Sequence, residues 1–234
     1  MTRPVLLAWS GGKDSTLALA ALRADPAMRV VGLLTAVAPA FDRISIHGVR
    51  RSILRAQAAA LELPVFEAEL APTSSNEAYD IAWAAAFKSA QAQVGPVAHI
   101  AYGDLFLADI RRFREAQAQR LGYTPAFPLW GRPTPALARQ FIAAGYEAYL
   151  TCVDTTQLAS DFAGRRFDLD VLADFPPTVD ACGEHGEFHT CVVAGPLFTR
   201  PITVLVGERV RRDERFEYCD LVLEDLCPGS TDRR

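Results

Sequence analysis

Apolar runs alternate with helix-forming stretches along the first half of the chain. Buried strands are predicted where short apolar runs occur, at 5–9, 30–35, 64–68 and 97–102. Helices are predicted between them, where helix formers or apolar residues at helical spacing occupy 16–23, 50–61, 76–93 and 107–121. Such alternation implies βαβ units and a parallel sheet, whose ligands bind at the carboxyl ends of the strands.

The second half has a different pattern. Beyond Gly122 the chain is richer in proline and glycine, so we place a boundary there and predict two units, 1–122 and 123–234. In the second unit, the sequence predicts a helix at 134–144, a strand at 149–153, and two alternating runs at 202–210 and 216–223. The two runs are typical of a hairpin or a sheet edge. The prediction is therefore an α/β sheet domain followed by a smaller mixed α/β domain.

Composition narrows the class of protein. Half of the 234 residues are hydrophobic, which predicts a globular chain, and no apolar run is as long as a membrane span. The formal net charge of −4 gives no reason to expect nucleic acid or an anionic membrane as a partner. Five cysteines without framework spacing, and no signal-peptide pattern, lead us to expect a cytoplasmic protein. The sequence leaves open whether the protein forms a homo-oligomer.

A dense group of glycine, charged and hydroxyl residues follows the first predicted strand. The string Ser10, Gly11, Gly12, Lys13, Asp14, Ser15 joins that strand to a helix. Backbone N–H groups and the helix dipole make such a joint an anion site, and glycine lets the backbone approach a ligand closely. Lys13 adds a cation and the serines add hydroxyl groups. The spacing is not that of a Walker A motif, since Asp14 follows the lysine.

A second cluster lies at 180–190, where three carboxylates, two imidazoles and a thiol share a segment with two glycines. Such a density of titratable groups in a glycine-punctuated segment is typical of a site. Gly103 and Asp104 end another predicted strand, so we expect them to share a crevice with the Ser10–Ser15 turn.

These residues carry a resemblance to a known family. Ser10 to Ser15 resembles the PP-loop of the N-type ATP pyrophosphatases. With Gly103-Asp104, the stretch 127–131, and Cys182-Gly183-Glu184 followed by 186–190, the chain to about residue 205 is similar to the diphthine–ammonia ligase family. The resemblance implies a Rossmann-like PP-loop domain and ATP-dependent amide formation: a carboxylate is adenylated, pyrophosphate leaves, and ammonia or an amine displaces AMP.

The resemblance also implies residue roles. ATP would be held by the Ser10–Ser15 turn, with Thr35, Gly103 and Asp104 nearby, and Mg²⁺ by Asp14 and Asp104. Lys13 and Asp14 would act on the phosphates, and Glu184, Glu187 and His189 on the amine and the acyl group. The acceptor, a small or protein-borne carboxylate, would contact the following residues: His47, Cys182, Gly183, Glu184, Glu187, His189 and Thr190.

Other interpretations of single residues stay open. Asp104 also suits a helix N-cap, His47 a surface loop and His189 a buried imidazole. Cys182 and Cys191, with the histidines at 185 and 189, have side chains that bind zinc, although structural zinc sites usually combine two separate ligand clusters.

Other functions stay open as well. A PP-loop enzyme of tRNA base modification and a non-catalytic ATP or AMP sensor are the alternatives to a ligase. Two positions depart from the family pattern, His185 in place of a small residue and Cys191 in place of an aromatic one. Arginine outnumbers lysine 22 to 2, which is typical of a GC-rich bacterial genome. In a bacterium diphthine is not expected, so we expect another carboxylate acceptor.

Overall fold

The computed structural model describes residues 2–45, 47–71 and 74–224. Its first sheet is mostly parallel, and its strands have the order β3-β2-β1-β5-β6, with β4 paired to β2 beside it. Only β3 runs antiparallel to its neighbour. The strands are β1 (Arg3–Ala8), β2 (Met28–Ala38), β3 (Arg43–Ile44), β4 (Val65–Glu69), β5 (His99–Ala101) and β6 (Thr124–Ala126).

Four helices connect these strands, and they confirm the alternation predicted from the sequence. They are α1 (Lys13–Ala24), α2 (Arg51–Leu61), α3 (Asn76–Val94) and α4 (Ala108–Leu121). The Ser75 hydroxyl accepts a hydrogen bond from the Ala78 amide (3.2 Å) and caps α3, as its position predicts. Gly122 ends α4 in the left-handed conformation, at φ 75°.

A second, antiparallel sheet follows, with strand order β8-β7-β10-β9. It is formed by β7 (Glu147–Asp154), β8 (Phe188–Ala194), β9 (Val204–Arg212) and β10 (Phe216–Leu223), with α5 (Thr134–Ala143) and α6 (Leu169–Asp174) beside it. The α/β class and the predicted hairpin are thus confirmed. The division at residue 122 stays a prediction. The last strand of the first sheet, Thr124–Ala126, comes after that position. Residues 225–234 of the predicted second unit lie outside the described part.

One of the two apolar clusters in the described residues joins the two sheets. Alternate residues of β1 enter different apolar clusters: Leu6 joins a cluster with α3, whereas Leu7 joins one that extends to Leu150 and Val192 of the second sheet. The carbonyl of Gly11 accepts a hydrogen bond from the Val192 amide (2.8 Å), so β8 lies directly against the turn after β1. Among the described residues, no helix is long and apolar enough to cross a membrane.

Candidate functional site

One cavity of about 290 Å³ opens where β1 and β5 end. It brings together residues from both predicted units. The predicted site residues that line it are Ser10, Gly12, Lys13, Asp14, Ser15, His47, Gly103, Asp104, Cys182, Gly183, Glu184, His189 and Thr190. The crevice expected from the strand ends is therefore present, and the 180–190 segment closes it from the other side.

The turn after β1 is shaped by close backbone approaches. Gly11 has φ 79°, in the region that disfavours a side chain, and a Cβ on Gly12 would lie 2.9 Å from the Thr190 carbonyl oxygen. A Cβ on Gly103 would lie 3.0 Å from the carbonyl carbon of Asp14. Glycine therefore allows three chain segments to meet at the start of α1.

Lys13 is the most buried charged group of the site, with 2% of its surface exposed. Its Nζ donates to Asp14 Oδ2 (2.9 Å) and to the carbonyl oxygen of Cys182. The Phe188 ring centroid lies 5.1 Å from the same nitrogen. Burial lowers the pKa of Lys13, but Asp14, together with Cys182 and Glu184, outweighs it and the pKa ends above its ordinary value. The ammonium is therefore charged at neutral pH.

Asp14 and Asp104 each keep one carboxylate oxygen without a hydrogen-bond partner among the described residues. Burial is the main cause that raises the pKa of both groups, and each is opposed by a cation, Lys13 or Arg114. Two buried oxygens of this kind are suitable donors for Mg²⁺, which usually completes its shell with phosphate and water. The two side chains thus fit the predicted ion.

Glu184 joins the second segment to the loop after β5. Its Oε1 accepts hydrogen bonds from the amides of Leu105 (2.8 Å) and Phe106 (3.3 Å). Burial raises the pKa of Glu184 to about 7, despite the bond from Leu105. A carboxylate with such a pKa exchanges a proton readily near neutral pH.

His47 and His189 lie next to each other, with ring centroids 4.3 Å apart. Burial, and then the Lys13 charge, lowers the pKa of His189 to about 4. Burial also lowers the pKa of His47 well below its ordinary value, and His47 Nδ1 has no hydrogen-bond partner among the described residues. Both imidazoles are therefore neutral at pH 7 and able to accept a proton or a hydrogen bond. The location of His189 on β8, rather than in a loop, was not predicted.

Three predicted residues do not line the cavity. The Thr35 hydroxyl donates to the Trp9 carbonyl (2.8 Å), and Gly11 faces the interior. Glu187 is buried, and its Oε1 accepts from the Asp180 amide (2.8 Å), so it holds the 180–187 loop closed. The role predicted for Glu187 in proton transfer stays a prediction.

The zinc interpretation has no support in the geometry. Among the described residues, no three His, Cys, Asp or Glu side chains are placed to hold a metal ion. Cys191 lies near Gln57, 3.7 Å from its Nε2, whereas the His185 ring contacts the edge of Phe106. Burial raises the pKa of Cys182 to about 12, so this side chain is a neutral thiol that donates to the Thr134 carbonyl.

Sequence reasoning did not assign a role to Gln57. Its side chain is fully buried, and its Nε2 donates to the carbonyls of Gly11 (2.9 Å) and Val192 (2.7 Å). Its Oε1 accepts from Trp9 Nε1 (3.0 Å). A glutamine on the buried face of a predicted amphipathic helix was the available signal, because a buried amide needs partners.

An aromatic wall beside β5 was also missed. Tyr79, Trp83, Tyr102 and Arg114 line the cavity there. The Tyr79 and Trp83 rings are stacked at a centroid distance of 5.6 Å, and the Arg114 guanidinium lies 4.8 Å from the Tyr102 ring centroid. The sequence signal was the spacing of four between Tyr79 and Trp83 on α3, which puts both rings on one face.

Comparisons with known proteins bear on the second half of the chain. No curated protein matches the sequence. Residues 133–222 match the family model of the diphthamide synthase C-terminal domain. That match spans α5 to β10, the part that covers the turn after β1 and carries Glu184 and His189. The resemblance noted from the sequence is thereby confirmed for this part of the chain, which is similar to a diphthamide synthase C-terminal domain.

Proposed function

We propose that this protein is an AMP-forming ligase that adenylates a carboxylate with ATP and then forms an amide with ammonia or an amine. The observation that carries the proposal is the shared cavity. The Ser10–Ser15 turn with Lys13 lines it, and so do Glu184 and His189 of the second segment. An adenylate formed at the turn would be within reach of the second set of groups without leaving the cavity.

Lys13 and the turn would serve the first half-reaction. Negative charge grows on the leaving pyrophosphate, and a fixed ammonium in a water-poor site stabilises it. The positive end of the α1 dipole adds to the same field. Because Lys13 is already bound to Asp14 and the Cys182 carbonyl, its side chain is held in place before a ligand arrives.

Asp14 and Asp104 would hold Mg²⁺ through their unpartnered oxygens. The ion would supply positive charge to the phosphates. Gly103 packs against the Asp14 peptide, which brings Asp104 near Asp14, and beside burial the Asp14 charge contributes to the raised pKa of Asp104.

Glu184 and His189 would serve the second half-reaction. Attack by an amine on the acyl group requires loss of a proton, and a carboxylate with a pKa of about 7 or a neutral imidazole can take it. Glu184 is fixed by the Leu105 amide, and the His189 ring by its contact with His47. In this proposal ATP binds at the end of the first sheet, and residues of the 180–190 segment transfer the proton.

Product analysis tests the proposal. The protein is incubated with ATP, Mg²⁺, ammonium and a nucleotide-free cell extract that supplies the acceptor. We expect AMP and pyrophosphate only when the extract is present, and none with Lys13→Ala. ADP as product, or bound ATP without turnover, would overturn the ligase; retention of tRNA at physiological salt would favour base modification instead.

A further inference from the structure

Arg114 opposes the charge of Asp104 but has no role in the two half-reactions proposed above. It lies in the second turn of α4 and lines the cavity on the β5 side, together with three aromatic residues. Its Nη1 donates to the Tyr79 hydroxyl (3.1 Å), and its guanidinium lies over the Tyr102 ring. These contacts fix the plane of the guanidinium without neutralising its charge.

The Nε of Arg114 is buried and has no hydrogen-bond partner among the described residues. The nearest carboxylate oxygen, Asp104 Oδ2, is 3.9 Å away and is likewise without a hydrogen-bond partner. That separation is too long for a hydrogen bond. A buried, unpaired donor of this kind costs free energy unless a ligand satisfies it.

The charge of Arg114 is secure. Burial lowers the pKa of its guanidinium, but Tyr79, Tyr102 and Asp104 together keep it above the ordinary value. Lys13, the other cation that lines the cavity among the described residues, already donates to Asp14 and Cys182. Arg114 is therefore the cation in the described cavity with an open donor.

A guanidinium fork matches the oxygens of a carboxylate or a phosphate. In the proposed function the phosphates are bound at the turn after β1, where Lys13 supplies the positive charge, which leaves a carboxylate for Arg114. The surroundings of Arg114 are the stacked rings of Tyr79 and Trp83, which offer a flat or apolar group a surface to pack on.

We propose that Arg114 binds the carboxylate of the acceptor, and that the wall of Tyr79, Trp83 and Tyr102 packs against a flat or apolar group that bears it. This assignment rests on the proposed function for the identity of the reacting group. It names a substrate class, a carboxylate on a planar or apolar body, and places it beside the aromatic wall, which shares an apolar cluster with Leu34 and Ala36 of β2.

The test uses the full chain and benzoate as the probe, with benzamide as its uncharged counterpart. Binding is followed by tryptophan fluorescence, and ATP–Mg²⁺ binding is measured separately by calorimetry. We expect benzoate to bind the wild type more tightly than benzamide does. Arg114→Met should weaken benzoate about 10-fold, as loss of a charged hydrogen bond does, and change ATP affinity less than about twofold.

Arg111→Met is the matched control. Arg111 lies on the same helix, over the Phe127 and Trp130 rings, and pairs with Glu115, but it does not line the cavity. It should leave benzoate binding unchanged. Arg114→Lys keeps the charge and should retain part of the binding, so the proposal stays testable if Arg114→Met fails to fold.

Three results would overturn the assignment: no benzoate binding to the wild type, equal binding of benzoate and benzamide, or unchanged benzoate binding in the Arg114 variants. A loss of ATP affinity with benzoate unaffected would place Arg114 on the nucleotide and also refute it. Failure of the wild type to bind ATP would refute the proposed ligase, while the benzoate series would still decide for or against an anion site at Arg114.

Discussion

The backbone amide of Lys13 donates a hydrogen bond of 3.0 Å to the hydroxyl of Thr190, 177 positions away in the chain. Lys13 is the first residue of α1, so its amide has no acceptor within the helix, and a residue of β8 supplies one. The Ser10–Ser15 turn after β1 of the first sheet is thus held in part by Thr190 of the second sheet. A change on β8 is therefore expected to act on the turn as well as on its own strand.

Thr190→Val should destabilise the protein by about 1–2 kcal/mol, because it removes the only side-chain acceptor seen for the Lys13 amide among the described residues. The shape of the side chain is kept, so packing changes little. Thr190→Ser, which keeps the hydroxyl, should restore most of the loss. Urea unfolding of the three proteins measures the difference; a Val variant as stable as the wild type, with only the Ser variant destabilised, would show that the methyl group, not the hydrogen bond, matters.

Gln57→Met should weaken ATP binding by about 10-fold, since a buried amide that holds the Gly11 carbonyl sets the shape of the turn. Loss of stability alone does not establish this role. Gln117→Met is the control, because Gln117 is equally buried but bonds to Asp80 and Tyr123 away from the turn. Calorimetry with ATP–Mg²⁺ well below the melting temperature should separate the two; the same affinity loss in both variants would contradict a positioning role for Gln57.

The sequence was sufficient for what local pattern determines. Apolar runs and helical spacing located four strands and the four helices of the first sheet to within a few residues, because a buried parallel strand and a helix each leave a local signature, whereas the short strands β3 and β6 were not predicted. The turn after β1 was identified for the same reason.

The hydrogen bonds that depend on how the chain folds back on itself could not be predicted from the sequence. The hydrogen bond from the Asp180 amide to Glu187 was not predicted, because it depends on how the loop folds back. Gln57 and Arg114 were given no role, because their contacts are with distant segments, Val192 and Tyr79. Which charged residue of a dense segment faces a cavity is decided by packing, and periodicity does not encode it.

Acid should destabilise the protein through the imidazoles. His189 has a pKa of about 4 in the folded chain, against about 6.5 when unfolded, so between these values the unfolded chain binds a proton that the folded chain does not. The stability it contributes is present above pH 6.5 and is lost as the pH falls toward 4. His47 acts with the same sign. His189→Gln should reduce the dependence of the unfolding free energy on pH by up to one proton, measured by urea titration at several pH values; an unchanged slope would refute neutral burial of His189.

Glu184 should set the lower limb of the pH–rate profile. Its carboxyl has a pKa of about 7 because it is buried, and only the ionised form can take a proton from the attacking amine. The rate of amide formation should therefore rise tenfold per pH unit below about 7 and level off above it. Because free ammonia also increases with pH, the profile is recorded at constant free-base concentration.

Glu184→Gln separates the proton-transfer role of Glu184 from its contact with the Leu105 amide. The amide oxygen can still accept that hydrogen bond, so the loop keeps its anchor while the titrating group is lost. Pyrophosphate release in the presence of acceptor should continue, whereas amide formation should fall about 100-fold and lose the limb near pH 7. A limb that persists in this variant would transfer the role of base to another group, and His189, with a pKa of about 4, would not account for it. Equal loss of both half-reactions would instead show that Glu184 acts on the geometry of the turn through its contact with the loop after β5.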